Sequence, residues 1–246
     1  MSIHYKNAPI ADAVIDVQVS FDAPPRPDEL LDFCQKQVAF PHCHEMHNVE
    51  VHVSSQLGDG GVKTDVKTDG VLGYRLTNAD QTRVLQVRSN GISYEHLPKY
   101  TSWELYRAEF EPLLHDYLGT FNPKEATRLA VRYINQIPTP LNIDVATYVN
   151  VAPRTIPGAM LVTNYFLQLV LAQPEWPSTW GVILNTGIAG SHMPNTMFVT
   201  LDLDVFCGES TRADSAFIWR IMETLRAKKN ALFEASITDA TRELIK

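Results

Sequence analysis

The sequence predicts an α+β fold: antiparallel sheets with long helices on one face, arranged as two pseudo-equivalent halves that each run strand, helix, strands, helix. Three observations carry this reading. Several segments alternate apolar and polar residues and are joined by turn residues, as expected of antiparallel strands with one buried face. Two stretches, Trp103 to Leu118 and Asp214 to Phe233, carry apolar residues at helical spacing instead. The order of these periodicities starts again after Asn122-Pro123. The boundary falls between residues 121 and 122, giving halves 1–121 and 122–246. With no low-complexity linker between them, the halves should form one compact unit. No residue identity links them, so the inferred repeat is one of topology.

In chain order, Ala13 to Phe21 alternates cleanly, with Ile15, Val17, Val19 and Phe21 on one face and Asp16, Gln18 and Ser20 on the other. Pro24 and Pro25 stop this strand, and Pro27-Asp28-Glu29 has the proline and acids of a first helical turn. Leu30, Leu31, Phe33, Cys34 and Val38 then give a helical stripe that Pro41 ends. Val49, Val51 and Val53 mark a second strand, which stops near Gly58-Asp59-Gly60-Gly61. The charge-rich near-duplication Val62 to Gly70 predicts a solvated loop or exposed hairpin. Leu72 to Leu76, Arg83 to Arg88 and Ile92 to Leu97 read as consecutive strands, with a tight turn at Asn90-Gly91. Thr101-Ser102-Trp103-Glu104 fits a capping box that opens a long helix, in which Pro112 predicts a kink.

The second half opens with Arg128 to Ile137, where Leu129, Val131, Tyr133, Asn135 and Ile137 share one face and Arg128, Arg132 and Gln136 the other. After a short helix-like run from Asn142 to Val149, three strands follow: Met160 to Ala172, Trp180 to Ile188 and Thr196 to Phe206. In the last of these, Asp202 and Asp204 oppose Leu201, Leu203 and Val205. Ile218, Ile221, Met222, Leu225 and Leu232 then mark an amphipathic helix, and Thr238 could cap a short terminal one. The two charged strand faces, Arg128 with Arg132 and Asp202 with Asp204, thus carry opposite signs. If the strands are neighbours, the charges meet.

Composition narrows the function classes. A chain of 246 residues with 45% hydrophobic content can bury a sizeable core. A formal charge of −7 argues against a general polyanion-binding surface, so nucleic acid is not the expected partner. No apolar run approaches the length of a membrane span and no basic, then apolar, leader opens the sequence. The expectation is a soluble, cytoplasmic protein without a membrane partner. Cys34, Cys43 and Cys207 are too scattered for a disulfide framework.

Five segments resemble a sporadically distributed family of uncharacterised prokaryotic proteins of similar length. They are Tyr5-Lys6-Asn7-Ala8-Pro9-Ile10, Tyr100-Thr101-Ser102-Trp103-Glu104, Arg128-Leu129-Ala130-Val131-Arg132-Tyr133-Ile134-Asn135, Leu201-Asp202-Leu203-Asp204 and Lys229-Asn230-Ala231-Leu232-Phe233-Glu234. The likeness spans nearly the whole chain. It implies one intact unit, and no activity, cofactor or catalytic residue comes with it.

Candidate sites remain few. His42-Cys43-His44-Glu45-Met46-His47 and His52 hold metal-ligating atoms, but without the pair spacing of a zinc site they are expected in a solvated loop, and no metal is predicted. No catalytic motif is present: there is no Gly-x-Ser-x-Gly, and Gly187-Ile188-Ala189-Gly190-Ser191 lacks the ending of a phosphate loop. No cofactor is therefore called for. Arg128, Arg132, Asp202 and Asp204 form the first candidate binding group. Trp176, on the proline-stiffened Pro174 to Trp180 loop, is the second, as an aromatic anchor for a partner. The first functional expectation is a non-catalytic binding module that contacts another protein or itself. The alternative is a small-ligand receptor or enzyme with a polar pocket between the halves, assembled from distant positions and invisible to motif reading.

Overall fold

The computed structural model describes residues 5–55, 62–97, 100–141, 143–153, 162–191 and 193–246. Their fold is a single antiparallel sheet of ten strands with four helices. The strands are β1 (Ile10–Ser20), β2 (His42–Ser55), β3 (Val62–Thr77), β4 (Arg83–Arg88), β5 (Gly91–His96), β6 (Glu125–Pro140), β7 (Phe166–Leu171), β8 (Trp180–Gly190), β9 (Thr196–Cys207) and the two-residue β10 (Thr211–Arg212). The helices are α1 (Pro27–Gln35), α2 (Trp103–Phe121), α3 (Ser215–Ser236) and α4 (Asp239–Ile245), with a 3-10 turn at Val145–Thr147. Across the sheet the order is β2-β3-β4-β5-β1-β6-β9-β8-β7, and β10 pairs with β6. β1 and β6 therefore lie side by side at the centre, with β5, β4, β3 and β2 running outward on one side and β9, β8 and β7 on the other.

The alternation read in the sequence sets the two faces. Ala13, Ile15, Val17 and Val19 of β1 and Leu129, Val131, Tyr133 and Ile137 of β6 are buried in the core shared with the helices. From α2 come Tyr106, Phe110, Leu114 and Tyr117, and from α3 Ile218, Trp219, Met222 and Leu225. Burying a large side chain of this kind is worth about 1.5–3 kcal/mol, so this layer is the main reason the helices stay on the sheet. Tyr106 adds a directional contact. Its hydroxyl accepts from the Ile15 N–H at 2.9 Å and lies 2.9 Å from the Ala13 carbonyl oxygen, fixing α2 over the seam between β1 and β5.

Local differences from the sequence reading have physical reasons. His42 to His47 is not a loop but the start of β2, because its backbone pairs with Val71 to Thr77 of β3. Residues 62–70 form the first part of β3 and pair with β2, which is the hairpin rather than the loop of the two alternatives read from the sequence. The turn before β5 centres on Ser89-Asn90. Gly91 follows it at φ +154°, where a Cβ would stand 2.3 Å from the Val17 carbonyl oxygen. The cap of α2 is Ser102 rather than Thr101: its side chain accepts from the Leu105 N–H at 3.2 Å, which puts Glu104 one residue short of the capping-box position. Helix α2 continues through the exposed Pro112, held on either side by buried Phe110 and Leu114. In place of the run expected from Asn142 stands the 3-10 turn, and the strand expected from Met160 is seen as β7 from Phe166. The turn at Gly58 to Gly61, Asn142 and Met160 lie outside the described residues. Among the described residues, no helix is long and apolar enough to cross a membrane.

Candidate functional site

The four charged residues predicted to meet do meet, on the sheet face opposite the helices. β6 and β9 pair with Arg132 opposite Asp204 and Ile134 opposite Asp202. Arg132 forks onto Asp202, with Nε 2.9 Å from Oδ1 and a terminal nitrogen 2.7 Å from Oδ2. Arg128 donates to Asp204 at 2.7 Å and approaches Asp16 of β1 at 3.4 Å, and Arg88 of β4 pairs with Asp16 as well. Asn185 of β8 supports Asp202 at 2.9 Å. Every one of Arg88, Arg128 and Arg132 thus has a carboxylate partner. A hollow of about 290 Å³ opens among them, lined also by Asp12, Ser93 and Glu95. Burial, and then the nearby Glu95 charge, push the Asp12 carboxyl up to about 6. Asp12 Oδ1, Asp204 Oδ1 and Arg88 Nε are buried without a protein partner among the described residues. The hollow is polar and roomy enough for water to serve them.

Trp176 lies apart from this group, in the connection between β7 and β8. It is half-buried against the core, and the Lys228 ammonium stands 4.1 Å from its ring centroid. Such a cation over an indole face fixes the ring locally. His42 to His47 holds no metal arrangement: among the described residues no group of His, Cys, Asp and Glu could bind an ion.

A larger cavity, of about 830 Å³, opens on the helix side. Residues 5–10, residues 100–104 at the start of α2, Tyr133 and Asn135 of β6, and the 223–234 face of α3 enclose it. Both halves contribute. Its size falls in the range of small-molecule sites, and its walls are aromatic, with Trp103, Tyr133 and Phe233 among them. At its inner wall is Lys229, 8% exposed, with its ammonium 3.6 Å from the centroid of the Tyr133 ring. Among the described residues no carboxylate or carbonyl pairs with it. Burial, reinforced by the Arg226 charge, brings its pKa down from 10.5 to about 7, so near neutral pH this amine can both give and take a proton.

The acids around the cavity are already matched. Glu234 accepts from the Tyr5 hydroxyl at 3.0 Å and from Arg242 at 3.3 Å. Glu223 accepts from Trp103 Nε1 at 2.8 Å and Arg107 at 3.1 Å, and Glu104 accepts from Arg226 at 3.3 Å. Tyr133 donates to the Tyr100 oxygen at 2.8 Å, leaving the Tyr100 O–H uncommitted among the described residues. Asn135 is buried, as its strand position predicts, and gives its amide hydrogens to the carbonyls of Leu201 and Tyr133. Among the described residues its Oδ1 has no donor. Among the described groups just named, the uncommitted ones are an ammonium, a phenol donor and one amide oxygen; the exposed Lys6 and Thr101 also line the cavity.

The sequence reading allowed for a pocket between the halves but did not identify Lys229 or the other residues of this cavity as a site. One signal was present: Ile218, Met222, Leu225 and Lys229 follow one another at helical spacing, so a lysine sits on the stripe that faces the core. A long charged side chain there either snorkels outward or meets a polar cavity. No protein-family model matches the chain, and no curated protein matches it.

Proposed function

We propose that this protein binds a small organic molecule in the cavity between its two halves, as a receptor or as an enzyme acting on that molecule. The observation that carries the reading is Lys229: apart from the Tyr133 ring, no partner for its buried amine stands among the described residues, a buried cation without hydrogen bonds costs several kcal/mol, and a ligand that supplies them would offset that cost. Aromatic walls give the rest of a ligand an apolar surface. Four of the five segments that resemble the prokaryotic family, those containing Tyr5, Tyr100, Tyr133 and Lys229, line this one cavity, which supports membership in that family and a shared site. The two halves are read as pseudo-equivalent. Supporting this, the strands outward from the β1–β6 seam run β5, β4, β3, β2 on one side and β9, β8, β7 on the other, and a long helix, α2 or α3, follows each set. A cytoplasmic location is part of the proposal.

The test is purification under native conditions, followed by denaturation and mass spectrometry of what is released, for the wild type and Lys229→Met in parallel. A small molecule released by the wild type and absent from the variant is the expected result. Equal retention by both would remove Lys229, and with it this reading.

A second reading, the interaction module, has its own support in β7. This strand ends the sheet, and Phe166 and Val170 on it are each 73% exposed. An apolar edge strand is a template for pairing with another chain. Sedimentation of the wild type beside Val170→Lys tests it, with a dimer reduced to monomer as the expected outcome.

A further inference from the structure

We infer that the ligand of the helix-side cavity is a small organic carboxylate, its charged end on Lys229 and the Tyr100 hydroxyl and its apolar body against the aromatic walls. This rests on the reading of the cavity as a ligand site. The argument is an inventory of what the cavity leaves open. Lys229 offers three N–H donors and a positive charge, and Tyr100 offers one O–H. The only acceptor left open among the groups just described is Asn135 Oδ1. A site with an excess of donors and an unmatched positive charge is complementary to an anion, not to an amine or a guanidinium. Those would seek the acids, and Glu104, Glu223 and Glu234 already have partners.

The charge does not arise from the inner wall as a whole. Besides Lys229, the titratable groups facing the cavity are Tyr133 of β6, Tyr100 and Glu104 at the start of α2, and Tyr5 and Lys6 before β1. On α3 itself they are Glu223, Arg226 and Glu234. Both tyrosines beside Lys229 are held neutral, since burial raises their pKa, and Arg226 is shared between Glu104 and Glu223. Lys6 is exposed to solvent, so Lys229 is the buried cation that must change when an anion arrives. An incoming carboxylate holds the ammonium in its protonated form, so binding takes up a proton wherever the free amine is neutral. At pH 8 a lysine with a pKa of about 7 is about one-tenth protonated, and binding should take up about 0.9 proton.

The experiment is titration calorimetry with 3-phenylpropionate, 3-phenylpropan-1-ol and 3-phenylpropylamine, in two buffers of different ionisation heat at pH 8. The acid should bind most tightly and with proton uptake. Lys229→Met should weaken it about 10- to 100-fold, and Tyr100→Phe, which keeps the ring but also removes the acceptor of the Tyr133 hydroxyl, about 3- to 10-fold. Equal binding of all three probes would leave the cavity reading standing and overturn the carboxylate. Tighter binding of the alcohol or amine, acid binding that Lys229→Met leaves unchanged, or no binding of the acid would overturn it too. Retention of a native ligand, measured separately, decides the cavity reading itself.

Discussion

Replacing Lys229 with methionine should stabilise the ligand-free protein at pH 7 and abolish a specific part of its pH dependence. In the unfolded chain this lysine takes up its proton near 10.5; in the folded protein burial and the Arg226 charge bring that value to about 7. The folded pKa is depressed, so the associated stability is fully present above 10.5 and is lost as pH falls through 7. Between pH 7 and 9 the unfolded lysine is protonated while the folded one releases its proton. Each pH unit then adds up to about 1.4 kcal/mol, and half-titration at pH 7 trims the sum over this window to about 2 kcal/mol. For a chain of 246 residues that corresponds to about 4–8 °C in Tm. Methionine keeps the length, packs well on the Tyr133 ring and does not titrate. Urea unfolding of both proteins at pH 7, 8 and 9, without ligand, gives the comparison. The wild type should gain about 2 kcal/mol on the variant across the series. Parallel profiles would refute the placement of an unpaired amine in the core.

Two further predictions concern the open face of the sheet. Arg132→Met leaves Asp202, 5% exposed, with Asn185 as its remaining side-chain partner, and should cost about 1–3 kcal/mol in a urea titration. Because Arg132 lies on the face away from the cavity, ligand retention should not change; a variant that unfolds normally but loses ligand would reverse the assignment of the two faces. Asp12→Asn should do the opposite to stability. The folded pKa of Asp12 is raised from 3.8 to about 6, so its favourable contribution is present below 3.8 and lost as pH rises through 6. Asparagine should therefore gain about 1–2 kcal/mol at pH 7.5, after allowance for solvent screening at a partly exposed site, and nothing at pH 4. A gain that persists at pH 4 would assign the effect to packing instead.

The fold was largely legible because a half-buried strand writes its face into every second residue. Ile15, Val17 and Val19 and the Leu129 to Ile137 series identify core positions without any tertiary information. The pairing of Arg128 and Arg132 with Asp204 and Asp202 was legible for the same reason, once β6 and β9 are neighbours. Strands at the rim were less so. His42 to His47 has no apolar alternation to report, since its pairing with β3 is a matter of backbone hydrogen bonds. The make-up of the cavity was hidden for a different reason. Its groups come from four segments spread from Tyr5 to Glu234, and no local spacing relates Tyr100 to Tyr133 or either to Lys229.

The two faces also differ in whether their charges are matched. In an antiparallel sheet the neighbouring strands project their side chains to the same side, so an arginine on β6 meets whatever β9 and β1 carry at the adjoining positions. Here β9 supplies Asp202 and Asp204 and β1 supplies Asp16, one pairing position away, so each arginine finds a carboxylate. A ligand seeking Arg128 or Arg132 must break contacts of 2.7 Å before it makes new ones, and gains only the difference. Lys229 reaches its environment from a helix. It crosses the layer between α3 and the sheet and arrives at the ring of Tyr133, a face with no carboxylate to offer. Its register is set by the helical period of the core stripe, which has no matching period of acids on the strand below. A charge delivered in this way stays open, and the free energy of completing it remains available to a bound molecule.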